Sequence, residues 1–310
     1  IMGHFLYLTS IIPNFLKKGG ISLFSKETLE FPIILNKIAN YAFSQSSKNE
    51  ILAMPVLTEH KKVINQLDLT FELAGLIKRF GKLPFIQDYD IQSLLSMLKR
   101  GQSLSVQEIL IIRLFLSMEQ QLFAYIKQFE FGTFQSFYYA TKELTNHHQT
   151  LKEIDAIMNI DGEIYDHASQ ELLSIRKNMH IKESALKNQT NRLLIKYQTY
   201  LNESLIAMRN NRFVIPVKEA FKHKIKGVIH DVSSSGQTVY IEPDDIRNLS
   251  QELEMLTALE HQEIIKILEK LAKKIATVEE SLSENLKLIV TLDVAHSKAL
   301  YGNEINGIRP

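Results

Sequence analysis

Six basic side chains, Arg209, Arg212, Lys218, Lys222, Lys224 and Lys226, fall in one short stretch that holds a single acid among them, Glu219. That pattern neither activates a nucleophile nor ligates a metal. Its chemistry is charge neutralisation: such side chains contact phosphate oxygens, positioning a protein on a polyanion without reading its sequence. The same lysines also suit solvated strand edges that block unwanted pairing. Aromatic residues stand nearby. Phe213 and Tyr240 suit the miniature core of a β element, and Phe221 is the candidate for stacking on an unpaired base.

These residues need a scaffold. Arg212–Val217, Val228–Asp231 and Val239–Ile241 are rich in β-branched and aromatic residues and read as short strands. Ser233–Gly236 supplies turn chemistry before the last of them, with Gly236 at a positive φ. The β island spans 209–243, and long stretches without Pro or Gly flank it, from Asp166 to about Met208 and from Asp244 to Leu292. Helices of some forty residues reach on the order of 60 Å. In the first, Ala168, Leu172, Ile175, Met179, Leu186 and Leu193 repeat at near-heptad spacing, with polar Lys182 and Gln189 in the seam. In the second, Ile264, Leu268, Leu271, Ile275, Val278 and Leu282 step by four and three. Two antiparallel helices carrying a β tip serve equally as a spacer or as a working lever.

Upstream, helical patterns dominate. Pro32 to Ala53 reads as one helix, and Thr58 as the N-cap of the next. Phe80–Pro84 is a loop, and Ile91–Leu98 a short helix closed by Gly101. Ser105 and Glu108 form a capping box for a helix from Val106 to about Gln128. Two further helices precede Asn159. The expected fold class is mainly α: a helical core at 26–160, then lever helices at 161–300 with the β insertion at 209–243.

Catalytic readings fail on spacing. Gly81-Lys82-Leu83 is no phosphate loop, because Gly75 lies one residue too far upstream and Leu83 stands where Ser or Thr is needed. His230, Asp231 and the Ser233–Ser235 run suggest a triad, but adjacent strand residues point to opposite faces. His147-His148 lacks helical metal spacing and reads as a solvated loop, and His167 and His180 as surface residues. No catalytic, metal or cofactor residue is assigned.

Composition sets outer bounds. The chain has 310 residues, a formal net charge of +1 and no cysteine. Nucleic-acid affinity must therefore come from a local patch rather than a global field, and disulfides and cysteine-ligated zinc are excluded. The apolar run Phe5–Phe15 is interrupted by Pro13 and Asn14 and is too short to span a bilayer. Residues 1–25 read as an extension outside the fold, and the expected location is cytoplasmic.

The island also carries a resemblance. Arg212-Phe213-Val214-Ile215-Pro216-Val217-Lys218, Gly227-Val228-Ile229-His230-Asp231, Ser234-Ser235-Gly236-Gln237-Thr238 and Ile241-Glu242-Pro243 resemble the MutS family, closest to its second bacterial branch. Asp161-Gly162-Glu163-Ile164 is similar to the entry into that family's first lever helix, and Leu292-Asp293, Ala295, Lys298-Ala299 and Tyr301 to the return into its core. The resemblance covers about Leu29 to Pro310. It implies a reduced clamp carried on levers, without mismatch-reading and connector domains. It further implies an ATPase that binds ATP and Mg after a linker beginning at 301–310, and an endonuclease later still, so that this stretch itself is not an enzyme. The implied ligands are branched or duplex DNA, in recombination suppression and DNA repair, or the rRNA of stalled ribosomes, in ribosome rescue and quality control. The implied parent is a homodimer with no membrane partner. The competing expectation is a coiled-coil module that docks another subunit or a ribosomal protein.

Overall fold

The computed structural model describes residues 30–85, 90–129, 132–210 and 212–310. The extension expected at 1–25 lies outside the described residues. The fold is mainly α with one small antiparallel sheet, as the periodicities predict. In chain order the helices are α1 Phe31–Ala39, α2 Gln45–Leu52, α3 His60–Phe80, α4 Ile91–Lys99, α5 Val106–Ile126, α6 Gln135–Thr141 and α7 His148–Asp155. There follow α8 Gln170–Lys196, strands β1 Ala207–Arg209, β2 Arg212–Lys218, β3 Gly227–Val232 and β4 Thr238–Pro243, and helices α9 Asp244–Ala276 and α10 Glu279–Glu304.

The chain divides into two compact units. One combines the described residues up to Gln102 with Ile111–Leu151 and Ile275–Pro310. Its axis is α10, which packs against α1, α2, α3, α4 and α6. Leu282, Ile289, Leu292, Ala295 and Ala299 are buried along it, and Val294 closes a cluster with Leu35, Ala39, Ala42 and Ile51. A helix buried on most sides needs partners for its polar groups. Asp293 finds them by accepting from Phe43 N and Ser44 N, each at 3.1 Å. Ser44 in turn caps α2, its Oγ accepting from Ser47 N at 2.9 Å. This is why the single helix expected over Pro32–Ala53 is two: an acid some 250 residues away draws the 43–44 amides out of the helical ladder. Burial pushes the Asp293 carboxyl above its ordinary range, and the same donors oppose that rise.

Other boundaries follow local chemistry. The Ser105 box forms, with Ser105 N donating to Glu108 Oε2 at 2.7 Å and Glu108 N to Ser105 Oγ at 3.3 Å. The cap expected at Thr58 does not form. Glu59 occupies the cap position of α3 and its side chain makes no capping bond. Among the described residues α5 alone is long and apolar enough to cross a membrane, yet its Ile109, Ile112, Phe115, Leu116 and Leu122 are buried in protein.

His296 is fully buried in α10. Its Nε2 accepts from Leu83 N at 3.3 Å, its Nδ1 has no partner among the described residues, and Phe43 and Phe85 lie against the ring. Burial, aided by the Lys82 charge, lowers its pKa from 6.5 to about 4. The unfolded chain therefore binds a proton that the fold rejects. Stability should be full above about pH 6.5, decline as pH falls toward about 4, and lose on the order of 3 kcal/mol in all. Urea unfolding across that range checks this, with His296→Gln expected to flatten the dependence.

The second unit comprises Ser103–Leu110 and Lys152–Lys274. Within it α8 and α9 run antiparallel in a register marked by Ser169–Glu263, Arg176–Glu260 and Lys182–Glu252 contacts. Leu172, Ile175, Leu186 and Leu193 of the expected seam are buried, and Leu186 and Leu193 pack on Ile246 with Leu249 and Leu253 beside them. Lys182, the polar interruption, is matched across the pair by Glu252.

Both helices expected as levers are shorter than the absence of Pro and Gly suggests. The first stops at Lys196, where the chain leaves to flank β2: Asn202 N donates to Pro216 O and Lys218 N to Tyr200 O, both at 2.9 Å. Leu201 is thereby buried under the sheet. Pairing with a strand and burying Leu201 outweigh helix propensity, which is a weak preference per residue. The second is α9 and α10, separated at Thr277-Val278, a β-branched pair followed by the acids Glu279 and Glu280 that suit a new N-terminus.

Candidate nucleic-acid interface

The sheet is ordered β1-β2-β4-β3, all antiparallel. Directly paired residues share a face. One face presents Ile215, Val217, Val239 and Ile241 to Leu194, Leu201 and Ile225, with Tyr197, Ile206 and Phe221 at the margin. The sequence missed β1, which pairs Ala207 with Val214 and Arg209 with Arg212. It has three residues and no apolar run to reveal it; Asn210, at φ 50, begins the turn that makes it. Asn211 lies outside the described residues. Asn210 Nδ2 donates to His230 O at 3.1 Å, where β3 is irregular between Ile229 and Asp231, tying the hairpin to the far strand.

On the opposite face Val214 and Pro216 are buried, and the charged residues are largely neutralised by one another. Arg209 lies 4.3 Å from the Tyr240 ring centre and pairs with Asp231 at 3.3 Å. Arg212 pairs with Glu254 of α9 at 2.8 Å. His230 Nε2 lies 2.9 Å from Glu242 Oε2, a carboxylate that is buried. The expected failure of His230 and Asp231 to pair is thus accounted for: each has another partner.

The six basic residues therefore divide. Arg209, Arg212 and Lys222 each hold an acid, Lys222 meeting Glu219 Oε1 at 2.7 Å. That ammonium holds the Glu219 carboxyl below its ordinary range. Lys218, Lys224 and Lys226 are exposed and have no acidic partner among the described residues; Lys218 Nζ reaches only the Thr199 carbonyl, at 3.3 Å. Lys222 and Lys224 lie on the 3-10 turn Glu219–Lys224, and Lys226 precedes β3. Phe221 is half-buried against the sheet core, its ring 5.2 Å from that of Tyr200. Phe213 packs with Leu186, Leu193 and Ile246, and Tyr240 lies beneath Arg209.

One polar cluster in the first unit was not legible. His147, expected in a solvated loop, is 4% exposed. Its Nδ1 lies 2.9 Å from Glu119 Oε2 and its Nε2 2.8 Å from Ser281 Oγ. The spacing is that of a Ser-His-Glu triad, but Ser281 Oγ directs its proton to Val278 O at 2.9 Å, and His147 and Glu119 are buried, so the three groups act as a packing cluster rather than as an open nucleophile and base. Asn285 completes the cluster, donating to Glu119 Oε1 at 2.7 Å and to Thr145 O at 2.8 Å while accepting from Thr145 N at 2.9 Å. The cluster fixes the 145–147 turn against α5 and the start of α10. His148 is exposed, as are His167 and His180.

The chain is 32% identical over 295 residues to the Endonuclease MutS2 of Halothermothrix orenii, with 92% of this chain and 37% of that protein covered. Against the Endonuclease MutS2 of Clostridium perfringens it is 31% identical, covering 91% of itself and 36% of the relative. Against that of Clostridium botulinum it is 29% identical, covering 92% and 37%. The chain spans a little over a third of the length of these curated relatives. No family model matches it.

Proposed function

We propose, on the premise that the chain is homologous along 92% of its length to the MutS2 branch of the MutS family, that it is the nucleic-acid-binding lever and clamp region of a MutS-like ATPase. The observation that carries this reading is the trio Lys218, Lys224 and Lys226, exposed and without acidic partners among the described residues, at the end of β2 and on the segment that joins it to β3, beside the sheet where two antiparallel helices meet. The ligand is the sugar-phosphate backbone of branched DNA or structured rRNA, held without base readout. ATP-driven motion and the endonuclease activity in the relatives' name are assigned to other parts of the full-length protein, acting as a cytoplasmic homodimer.

Only the unpaired lysines contribute fully to counterion release, so the salt slope should be near that of about three phosphate contacts rather than six. For duplex DNA, affinity should fall about 40-fold between roughly 50 and 200 mM salt. Titration of labelled branched DNA, duplex DNA and structured RNA checks this, beside a Lys218→Ala, Lys224→Ala, Lys226→Ala variant that should lose most of the binding and the salt dependence. Absence of binding to any of them at low salt would sink the reading. A protein-docking role would then take its place, for which the exposed Val228, Ile229 and Val232 of edge strand β3 speak.

A further inference from the structure

The Ser-rich turn between β3 and β4 is absorbed by none of this. Ser233 alone closes it: its N donates to Thr238 O at 2.8 Å, and its Oγ accepts from Thr238 N at 3.0 Å. Gly236 N donates to Ser233 O at 2.8 Å, which completes a four-residue turn with Ser234 and Ser235 at its crown. Gly236 then takes φ 69, though a Cβ there would meet nothing within 4 Å. The glycine is therefore required for backbone direction, not for space. Ser234, Ser235, Gly236 and Gln237 are all exposed. The amides of Ser234, Ser235 and Gln237 and the hydroxyl of Ser234 have no partner among the described residues, while Ser235 Oγ shares a 3.3 Å contact with Ser233 Oγ.

We infer that this loop is a phosphodiester-binding clasp built from uncharged donors, an inference that rests on the nucleic-acid reading above. A left-handed residue directly after a turn aims successive N–H groups to one side, an arrangement that favours anions. Backbone amides and serine hydroxyls are regular phosphate donors. The surrounding charge agrees. Lys218 is the cross-strand partner of Thr238, at the mouth of the loop. Glu219, whose N donates to Gln237 O at 3.0 Å, has its carboxylate tied to Lys222. Asp231, two residues before Ser233, is paired with Arg209 at 3.3 Å, and Glu203 lies next to Asn202, whose Nδ2 donates to Thr238 Oγ1 at 2.7 Å. The loop thus supplies geometry and Lys218 supplies charge.

The two contributions separate by salt. Ser234→Pro removes one N–H and one hydroxyl at the first central position of the turn, where proline is tolerated, and changes no charge. It should weaken duplex and branched DNA about five- to tenfold with the salt slope unchanged. Lys218→Ala should instead lower the slope by about 0.9. Ser235→Ala, which leaves the backbone alone, should weaken binding a few-fold in the same salt-independent way. Amide shifts of the whole chain, titrated with inorganic phosphate and with a short duplex, supply the second readout: Ser234, Ser235 and Gln237 should move. If DNA binds both serine variants as tightly as the parent and those amides stay still, the clasp is overturned and the lysine reading stands. If no nucleic acid binds but the loop amides move with phosphate, the nucleic-acid reading falls and the anion clasp stands. If neither occurs, both fall.

Discussion

Glu119→Ala is expected to destabilise the first unit by about 3–5 kcal/mol, much of an ordinary domain's margin. The carboxylate is 1% exposed and takes two contacts, from His147 Nδ1 and Asn285 Nδ2. Its removal leaves the buried ring nitrogen without its carboxylate partner. The 145–147 turn, held through the same asparagine, loosens with it. Urea unfolding measures the loss, and Glu119→Gln should recover part of it because the amide retains one acceptor. A loss below about 1 kcal/mol would mean that water replaces the cluster at little cost.

Gly227→Ala should detach β3. A Cβ at Gly227 would lie 2.2 Å from the Glu242 carbonyl oxygen, and that backbone is fixed by the β4 ladder. No side chain can rotate aside, so the strand must move, at a cost of about 3 kcal/mol or more. Hydrogen exchange at 228–232 and 239–242 should accelerate while α10 stays protected. Lys224 and Lys226, just ahead of the strand, should lose their placement and weaken nucleic-acid binding. Gly236→Ala is the control. Its cost is conformational alone, about 1 kcal/mol, because its surroundings are open.

The helical class, the capping box at Ser105, three of the strands and the buried seam residues Leu172, Ile175, Leu186 and Leu193 were all legible in the chain. They depend on periodicity and on partners within a few residues, which a linear pattern records. Helix ends were less so. The exit at Lys196 exists because β2 needs a flanking segment, and the interruption at 40–44 because Asp293 takes two amides there. No local signal announces either partner.

The same division runs through the interface. Sequence by itself determined which residues carry positive charge, and that a β island bears them between two long helices. Only the tertiary structure decided which charges remain available. Arg212 is matched by Glu254 from α9, Arg209 by Asp231 across the sheet, and Lys222 by a neighbour one turn away. Ion pairs form through space over a few ångströms and take no account of distance along the chain. A count of basic residues is fixed by composition, whereas the field they present is fixed by which acids the fold brings beside them.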